Sequence, residues 1–342
     1  MKQIWVAGYP SFCGGADTEL DHQIDLWIAK GVEVHLVPLF SCNAEMQNKC
    51  NQRGCITHHD YNAKIFKGKT VVSYCNGDFL KQLPDIYERG KPEKVIWINC
   101  MTWTFSAEEK AVVNDYITYH VYHTCYQRNS IIPKLERKTG KMIVEPPLPY
   151  IPYYSLKNSA GIEHQYKRPS DYFGVGRISR DDGNKYNSDL WVMHSKVSAP
   201  RPVKHFVLGW GANAKKKCGD PLPQLDYLLW GQNGIKSGEF YKKIHCLLHK
   251  TGGSRENYPR VLLEAWHSGV VPIMENQYSL PDLIQDGVTG YLCNTSDEFA
   301  FRASELAFNE KKRKEMVDAG YKHLLENQAD KDKCWKFWDK LL

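Results

Sequence analysis

The chain has 342 residues, 42% of them hydrophobic and 12% aromatic, with 45 Lys and Arg against 39 Asp and Glu. That length suggests about two domains, and the aromatic content excludes an extensively disordered chain. The net charge of +6 is too mild to single out an anionic partner.

The first forty residues read as one βαβ unit. Ile4 to Gly8 is an apolar run, Gly14-Gly15 makes a sharp connection, and Asp17 or Thr18 can cap a helix. Leu20, Ile24, Trp27 and Ile28 then recur on one helical face. Gly31 stands where a C-cap glycine belongs, and VEVHLVPL resumes as a strand. Thr70 to Tyr74 and Lys94 to Asn99 are further strands, and Ala107 to Tyr122 is predicted to be helical; His120-x2-His123 is a weak metal-ligand pair, since His120 can simply share a helix face with its neighbours. Glu145 to Tyr154, EPPLPYIPYY, carries four prolines and suits neither helix nor central strand; it is the expected interdomain connection. The pattern then restarts with a strand at Asp171 to Val175, a helix near Leu190, strands from His205, near Leu228 and from Cys246, a helix over Pro259 to Ser268, and the strand VVPIM. The last forty residues have Phe, Trp and Leu at helical spacing, as closing amphipathic helices do. Strands alternating with helices predict two doubly wound, mainly parallel sheets.

The eleven cysteines are scattered, several inside apolar runs (Cys75, Cys100, Cys246, Cys293), and read as small hydrophobes in a reducing compartment. Cys50-x4-Cys55-x2-His58-His59 offers metal ligands, but its spacing matches no zinc module, and no metal is expected. Met1-Lys2 leads straight into IWVAGYP without the flanks of a signal peptide, and no apolar stretch reaches the ~18 residues a membrane helix needs. The expectation is a cytoplasmic protein without a transmembrane segment.

Ligands of doubly wound sheets bind at the carboxyl ends of strands, often against helix N-termini. Three loops have that position. Thr251 to Pro259 follows CLLH and opens a helix; Glu256 lies in the loop and Glu264 eight residues on, inside the helix, so both can point toward one ligand because two helical turns return to about the same face, and the backbone N–H groups around Ser254 to Asn257 suit a phosphate or sugar oxygen. The same spacing also suits an ordinary helix-entry loop. GVGRISRDDGNK, Gly174 to Lys185, gathers Arg177, Arg180 and Lys185 just past a strand, as a diphosphate requires, although Asp181 and Asp182 can neutralise them. Gly14-Gly15 permits close approach to a ligand but lacks a full GxGxxG. Gly68-Lys69-Thr70 only mimics the end of a phosphate loop, because Ala63 replaces the first glycine and a strand comes next.

In this order, together with LPDLIQDGVTGYL (Leu280 to Leu292), these segments resemble the retaining family 4 glycosyltransferases, the group 1 type. The resemblance implies a GT-B fold: two Rossmann-like domains facing across a cleft, 1–148 on the acceptor side and 149–325 holding a nucleotide-sugar donor, with a C-terminal helix over 326–342 packing back on the first. It implies transfer of a sugar from a UDP- or GDP-type donor to a hydroxyl acceptor, by front-face attack and without a cofactor or metal. Glu264 would hold the ribose hydroxyls and Glu256 the transferred sugar. Arg177, Arg180 and Lys185 would serve the diphosphate, Gly14 and Gly15 would approach the donor phosphate or the acceptor, and Ser254, Asn257 and Tyr258 would line the donor pocket. A saccharide acceptor is the default. Hydroxymethylated DNA is an alternative, supported by Lys215-Lys216-Lys217, and an epimerase or a non-catalytic donor-binding relative is another.

The sequence departs from the family at three places. Asn257-Tyr258-Pro259 replaces the usual glycines, Arg177 to Lys185 is longer than usual, and WINCMTW lacks the family's N-domain histidine. Asn99, Cys100 and Thr102 are the acceptor-side candidates in its place.

Overall fold

The alternation of apolar strand and amphipathic helix is realised twice. A computed structural model describes residues 1–11, 14–40, 43–165 and 168–342. The chain divides into two units, Met1–Ser155 together with Asn327–Leu342, and Leu156–Glu326.

The first unit runs β1 (Gln3–Ala7), α1 (Gly15–Ala29), β2 (Glu33–Val37), α2 (Ala44–Gln52), β3 (Ile56–Thr57), β4 (Thr70–Tyr74), α3 (Gly77–Asp85), β5 (Lys94–Ile98), α4 (Ser106–Val113), β6 (Tyr119–Val121) and α5 (Cys125–Thr139). The second runs β7 (Phe173–Ile178), α6 (Leu190–Ser195), β8 (Val203–Leu208), α7 (Ala212–Cys218), β9 (Asp226–Trp230), α8 (Ser237–Tyr241), β10 (Cys246–His249), α9 (Arg260–Ser268), β11 (Val271–Glu275), α10 (Leu280–Leu283), β12 (Tyr291–Cys293), α11 (Ser296–Phe308) and α12 (Glu310–Glu326). The last helix, α13 (Lys331–Leu341), belongs to the first unit.

Each unit holds one six-stranded sheet, ordered β3-β2-β1-β4-β5-β6 and β12-β11-β10-β7-β8-β9. All strand pairs between these elements are parallel. Both orders reverse direction between the first and fourth strands of their unit, β1/β4 and β7/β10. Successive connections diverge there to opposite faces of the sheet, which opens a crevice at the strands' carboxyl ends.

Helix α1 buries Leu20, Ile24 and Trp27, the face read from the spacing. Its N-cap is Gly14 itself, at φ 117°, a conformation that favours glycine. Asp17 and Thr18 therefore lie inside the first turn. The Asp17 carboxylate accepts from the Ser11 N–H at 3.0 Å, and the Thr18 hydroxyl donates to the Gly14 carbonyl at 2.8 Å. Helix α13 closes the same core: Trp338 meets Trp27 edge to face at 4.9 Å, and Phe337 packs on Tyr150 at 5.0 Å. Tyr150, Tyr153 and Tyr154 of the proline-rich segment are buried, so that segment is an extended part of the first unit up to its boundary at Ser155.

The single helix expected over 107–122 does not form. Helix α4 ends at Val113, Asp115 takes a left-handed φ of 56°, and Tyr119–Val121 pairs with β5 in the register Ile96↔Tyr119, Trp97↔His120, Ile98↔Val121. The β-branched and aromatic residues of ITYHVY fit a pleated surface, and the outer edge of β5 supplies the ladder that decides the matter. His120 is thus a buried sheet residue and does not occupy a helix face.

Among the described residues, no helix is long and apolar enough to cross a membrane.

Glu108 on α4 is fully buried and accepts from the Trp97 indole at 2.9 Å and the Asn99 amide at 3.2 Å. Burial raises its carboxyl to about 7. The folded state therefore keeps a proton between the ordinary pKa and about 7 that the unfolded chain has lost, and stability falls as pH rises through that window. The full difference is on the order of 3 kcal/mol. Glu108→Gln, which has no charge to bury, should lack this slope in denaturant unfolding followed between pH 4.5 and 7. Parallel stability curves for the two proteins would refute the assignment.

Candidate functional site

The reversal between β7 and β10 gathers the two loops that the sequence treats separately. The loop after β7 makes a short turn at Gly183–Lys185, held by the Asp182 carboxylate, which accepts from the Asn184 N–H at 2.9 Å. The loop after β10 crosses it closely. The Asn184 carbonyl accepts from the N–H groups of both Gly252 and Ser254, each at 3.0 Å. Residue 252 must be glycine for this approach, since a Cβ there would lie 1.9 Å from the Tyr186 carbonyl oxygen. One consequence corrects the sequence reading: the Ser254 N–H is already spent and is not available to a phosphate.

The crossing brings Lys185 and Glu256 together. Their Nζ and Oε1 atoms are 2.7 Å apart, with the Glu256 side chain 8% exposed and that of Lys185 21%. Behind the pair stands His249, the last residue of β10, with Nε2 3.5 Å from the same carboxylate oxygen. Arg177 contacts His249 Nδ1 on the other side of the ring. A guanidinium can only donate, so Nδ1 accepts and the imidazole proton sits on Nε2, facing Glu256. Burial would raise the Glu256 carboxyl, but the facing imidazole and the Lys185 ammonium overcome it and hold the group well below the usual carboxylate range. Burial and the Arg177 charge push His249 down to about 4, so at neutral pH the ring is uncharged and Lys185 is the cation of the pair.

Arg177 is not in the loop where the sequence reading put it. It lies in β7, fully buried, and its guanidinium donates to the carbonyls of Ile178 and Lys185 as well as to His249. The strand extends past Val175 because β8 continues to pair with it as far as Ile178↔Leu208. Arg180, the next cation, is exposed.

Glu264 lies in the second turn of α9, and its carboxylate accepts from the Tyr241 hydroxyl at 3.0 Å. Burial raises its pKa, while Tyr241 and Arg260 oppose the shift. Because α9 starts only at Arg260, with Pro259 as its N-cap, Glu256 is a loop residue. Glu264 alone is helical, which is the placement the sequence reading gives to the two carboxylates. Pro259 sets this limit, since its fixed φ and missing N–H suit the position just before the first turn. Asn257 is buried and accepts from the Ser279 hydroxyl at 3.1 Å, and Tyr258 is half-buried beside it.

Two further residues complete the rim. Glu275 ends β11 and accepts from the Thr251 hydroxyl at 2.8 Å; His249 ends β10 in the same way. The sequence reading named neither. Both terminate apolar strands at carboxyl ends, the one signal that would have found them.

The first unit has a matching crevice between β1 and β4, a cavity of about 230 Å³ lined by Gly8, Tyr9, Asp17, Tyr74, Cys75 and Asn76 among others. Gly14 and Gly15 lie at the start of the helix that borders it. Of the three candidates after β5, Asn99 turns inward: its amide donates to the Trp103 carbonyl at 3.0 Å and to Glu108, and its side-chain oxygen accepts from the Met101 N–H at 2.8 Å. It braces the loop and is not open to a ligand. The Thr102 hydroxyl is buried with no hydrogen-bond partner among the described residues. Cys100 hydrogen-bonds Cys75 across the ends of β5 and β4.

A Gly252→Ala substitution should push the two loops of the second unit apart. The expected cost is ~1–3 kcal/mol of stability, with faster amide exchange at Ser254. Unchanged exchange would mean that the loops do not depend on their contact at Asn184.

Residues 227–323 match the family model described as Glycosyl transferases group 1, a span that contains Glu256, Glu264 and the 280–292 segment. No curated protein sequence matches the chain. Among solved structures, Anabaena Alr3699/HepE in complex with UDP is similar over 100% of this chain and 99% of its own, with a TM-score of 0.69 and 12% identity. TarM, also solved as the S. aureus protein, matches over 100% and 98% with a TM-score of 0.73 and 10% identity. A glycosyltransferase from Rickettsia africae matches over 99% and 98% with a TM-score of 0.72 and 12% identity. The two parallel sheets and their flanking helices have the GT-B fold of these proteins.

Proposed function

We propose that the chain, with the GT-B fold and the group 1 match in its second unit, is a glycosyltransferase that moves a sugar, with retention, from a nucleotide diphosphate donor to a hydroxyl of a saccharide or glycan. The observation that carries this reading is the Lys185–Glu256 pair at the β7/β10 crevice. Support for a UDP-type donor comes from Anabaena HepE, which has been solved with UDP and with UDP-glucose.

In this reading Lys185 and the exposed Arg180 take the diphosphate and stabilise the departing nucleotide, the electrostatic work that a metal does elsewhere. Arg177 touches no substrate. It is a positioning residue that holds the Lys185 carbonyl and the His249 ring. Glu256, kept ionised and oriented, contacts the transferred sugar, and Asn257 and Tyr258 border the same loop. Glu264 accepts the ribose hydroxyls, which a carboxylate binds in pairs. The acceptor binds at the crevice of the first unit, near Gly15 and the buried Thr102 hydroxyl.

Incubation with a panel of nucleotide sugars, reading released nucleotide, tests the reaction; slow hydrolysis of one donor is the expected result, and no release from any would sink the proposal. Glu264→Ala should weaken binding of that donor at least about tenfold by calorimetry, the loss of a bidentate charged hydrogen bond. Equal affinity would remove Glu264 from the donor site.

A further inference from the structure

The amino ends of the second unit's strands carry a group of cations that sugar transfer does not use. Arg168 stands before β7, Arg201 before β8, His245 immediately before β10, and Arg313 on α12. Arg168 and Arg313 are 9% and 5% exposed, His245 is fully buried, and Arg201 is half-buried. Because β7, β8 and β10 are parallel, this edge is opposite the one that holds Lys185 and Glu256. The six residues of β7, at about 3.3 Å each, separate the two. We infer that Arg168, Arg201, Arg313 and His245 form a binding site for a tetrahedral oxyanion of the phosphate class.

Three observations carry this inference. The first is a charge without its counterpart. Buried arginines are normally paired with carboxylates, yet among the described residues only Glu310 is bonded to any of these three. That contact, to Arg313, is 3.4 Å long, and the Glu310 side chain is 79% exposed. Arg168 donates instead to the carbonyls of Tyr241, at 2.6 Å, and Ser268, and Arg201 to that of Ser170 at 3.2 Å. Carbonyls take up hydrogens but do not cancel the charge. The cations are also close enough to repel: burial and the Arg313 charge push Arg168 down to about 10, and Arg313 in turn feels Arg201.

The second observation is a surplus of donors. The Nε–H groups of Arg168, Arg201 and Arg313 are all buried, and none has a hydrogen-bond partner among the described residues. The third is a contact between two donors. His245 Nδ1 accepts from the Gly174 N–H at 2.9 Å, so the ring proton is on Nε2, 3.1 Å from the Pro169 carbonyl. Arg201 Nη2 faces that same Nε2 at 3.2 Å, and a guanidinium has no lone pair with which to accept. Burial and the charges of Arg313, Arg201 and Arg168 push His245 down to about 3, so the ring itself is neutral. A phosphoryl group answers all three conditions, since it brings negative charge and several acceptor oxygens that match the arginine fork. The half-buried Arg201 gives it a way in from solvent.

Lys185 is itself proposed to take phosphate, so the test uses the full chain carrying Lys185→Ala. It is titrated calorimetrically with inorganic phosphate and with methyl phosphate, the smallest phosphomonoester, against chloride at equal ionic strength. One equivalent of phosphate should bind and raise the melting temperature. Tighter binding of methyl phosphate would assign the site to a phosphorylated metabolite, and tighter binding of inorganic phosphate to the free ion. Adding Arg201→Gln should weaken the affinity at least about tenfold, the loss of a charged hydrogen bond, and shrink the phosphate-dependent rise in melting temperature. Arg313→Lys, which keeps the charge and loses the fork, should weaken binding as well while circular dichroism stays native. Arginines that merely brace the strand ends would lose stability in these variants with no change in the response to phosphate. Two outcomes would overturn the proposal: no binding of either phosphate beyond chloride by the Lys185→Ala chain, or an affinity that neither Arg201→Gln nor Arg313→Lys changes. None of these readouts depends on glycosyl transfer.

Discussion

A guanidinium shut away from water is the constraint around which the second unit is organised. Desolvating a charge of this kind costs several kcal/mol unless acceptors are turned toward it, and around Arg177 three are: the carbonyls of Ile178 and Lys185 and the Nδ1 atom of His249. Those contacts fix three things together. They set where β7 ends, they hold the backbone at Lys185 so that its ammonium points to the rim, and they choose the tautomer of His249 that faces Glu256. The carboxylates of Glu256 and Glu275 sit near enough to offset part of the burial cost. The charges of the Lys185–Glu256 pair are thus arranged by a third that is shut away from the surface.

Much of the scaffold was legible in the sequence because it is written in local terms. Leu20, Ile24 and Trp27 repeat with helical period, Gly31 supplies a left-handed residue after α1, and Thr70–Tyr74 is an apolar run of strand length that forms β4 with those ends. The segment at 107–122 was misread because its fate is not local. The helix-compatible stretch stops at a left-handed Asp115, and the open edge of β5 claims Tyr119–Val121 beyond it. The site divides along the same line. Lys185 and Glu256 could be selected from charge and position, but their pairing depends on a backbone crossing at Asn184 and Gly252 that no pattern within either loop encodes. Asn99 looked available because its residue type suits a ligand; its inward turn is dictated by Glu108 and Met101, contacts visible only in three dimensions. Arg177 was assigned to the right neighbourhood and the wrong environment, since a strand that runs on past Val175 carries it into the interior.

The two units use the same strand order in different ways. In the second, the crevice between β7 and β10 is rimmed by charge: Lys185, Glu256, and Glu275 hydrogen-bonded to Thr251. In the first, the crevice between β1 and β4 is backed by half-buried thiols, an imidazole and tyrosines, with Glu19 as the carboxylate among them. Identical topology fixes where a ligand can lie; the residues that end the strands decide which chemistry is offered there.

The return of the last helix to the first unit has a consequence for how the protein is made. The second unit is one uninterrupted stretch of chain, whereas the core of the first is completed by Phe337, Trp338 and Leu341 packing near Trp27 and Tyr150. During synthesis, which proceeds from the N-terminus at roughly 5–20 residues per second, the unit that emerges first must therefore wait with part of its interior uncovered while the unit that emerges second can close. The order of translation and the order of completion are inverted, because the first core is whole only once residues 331–341 have been made.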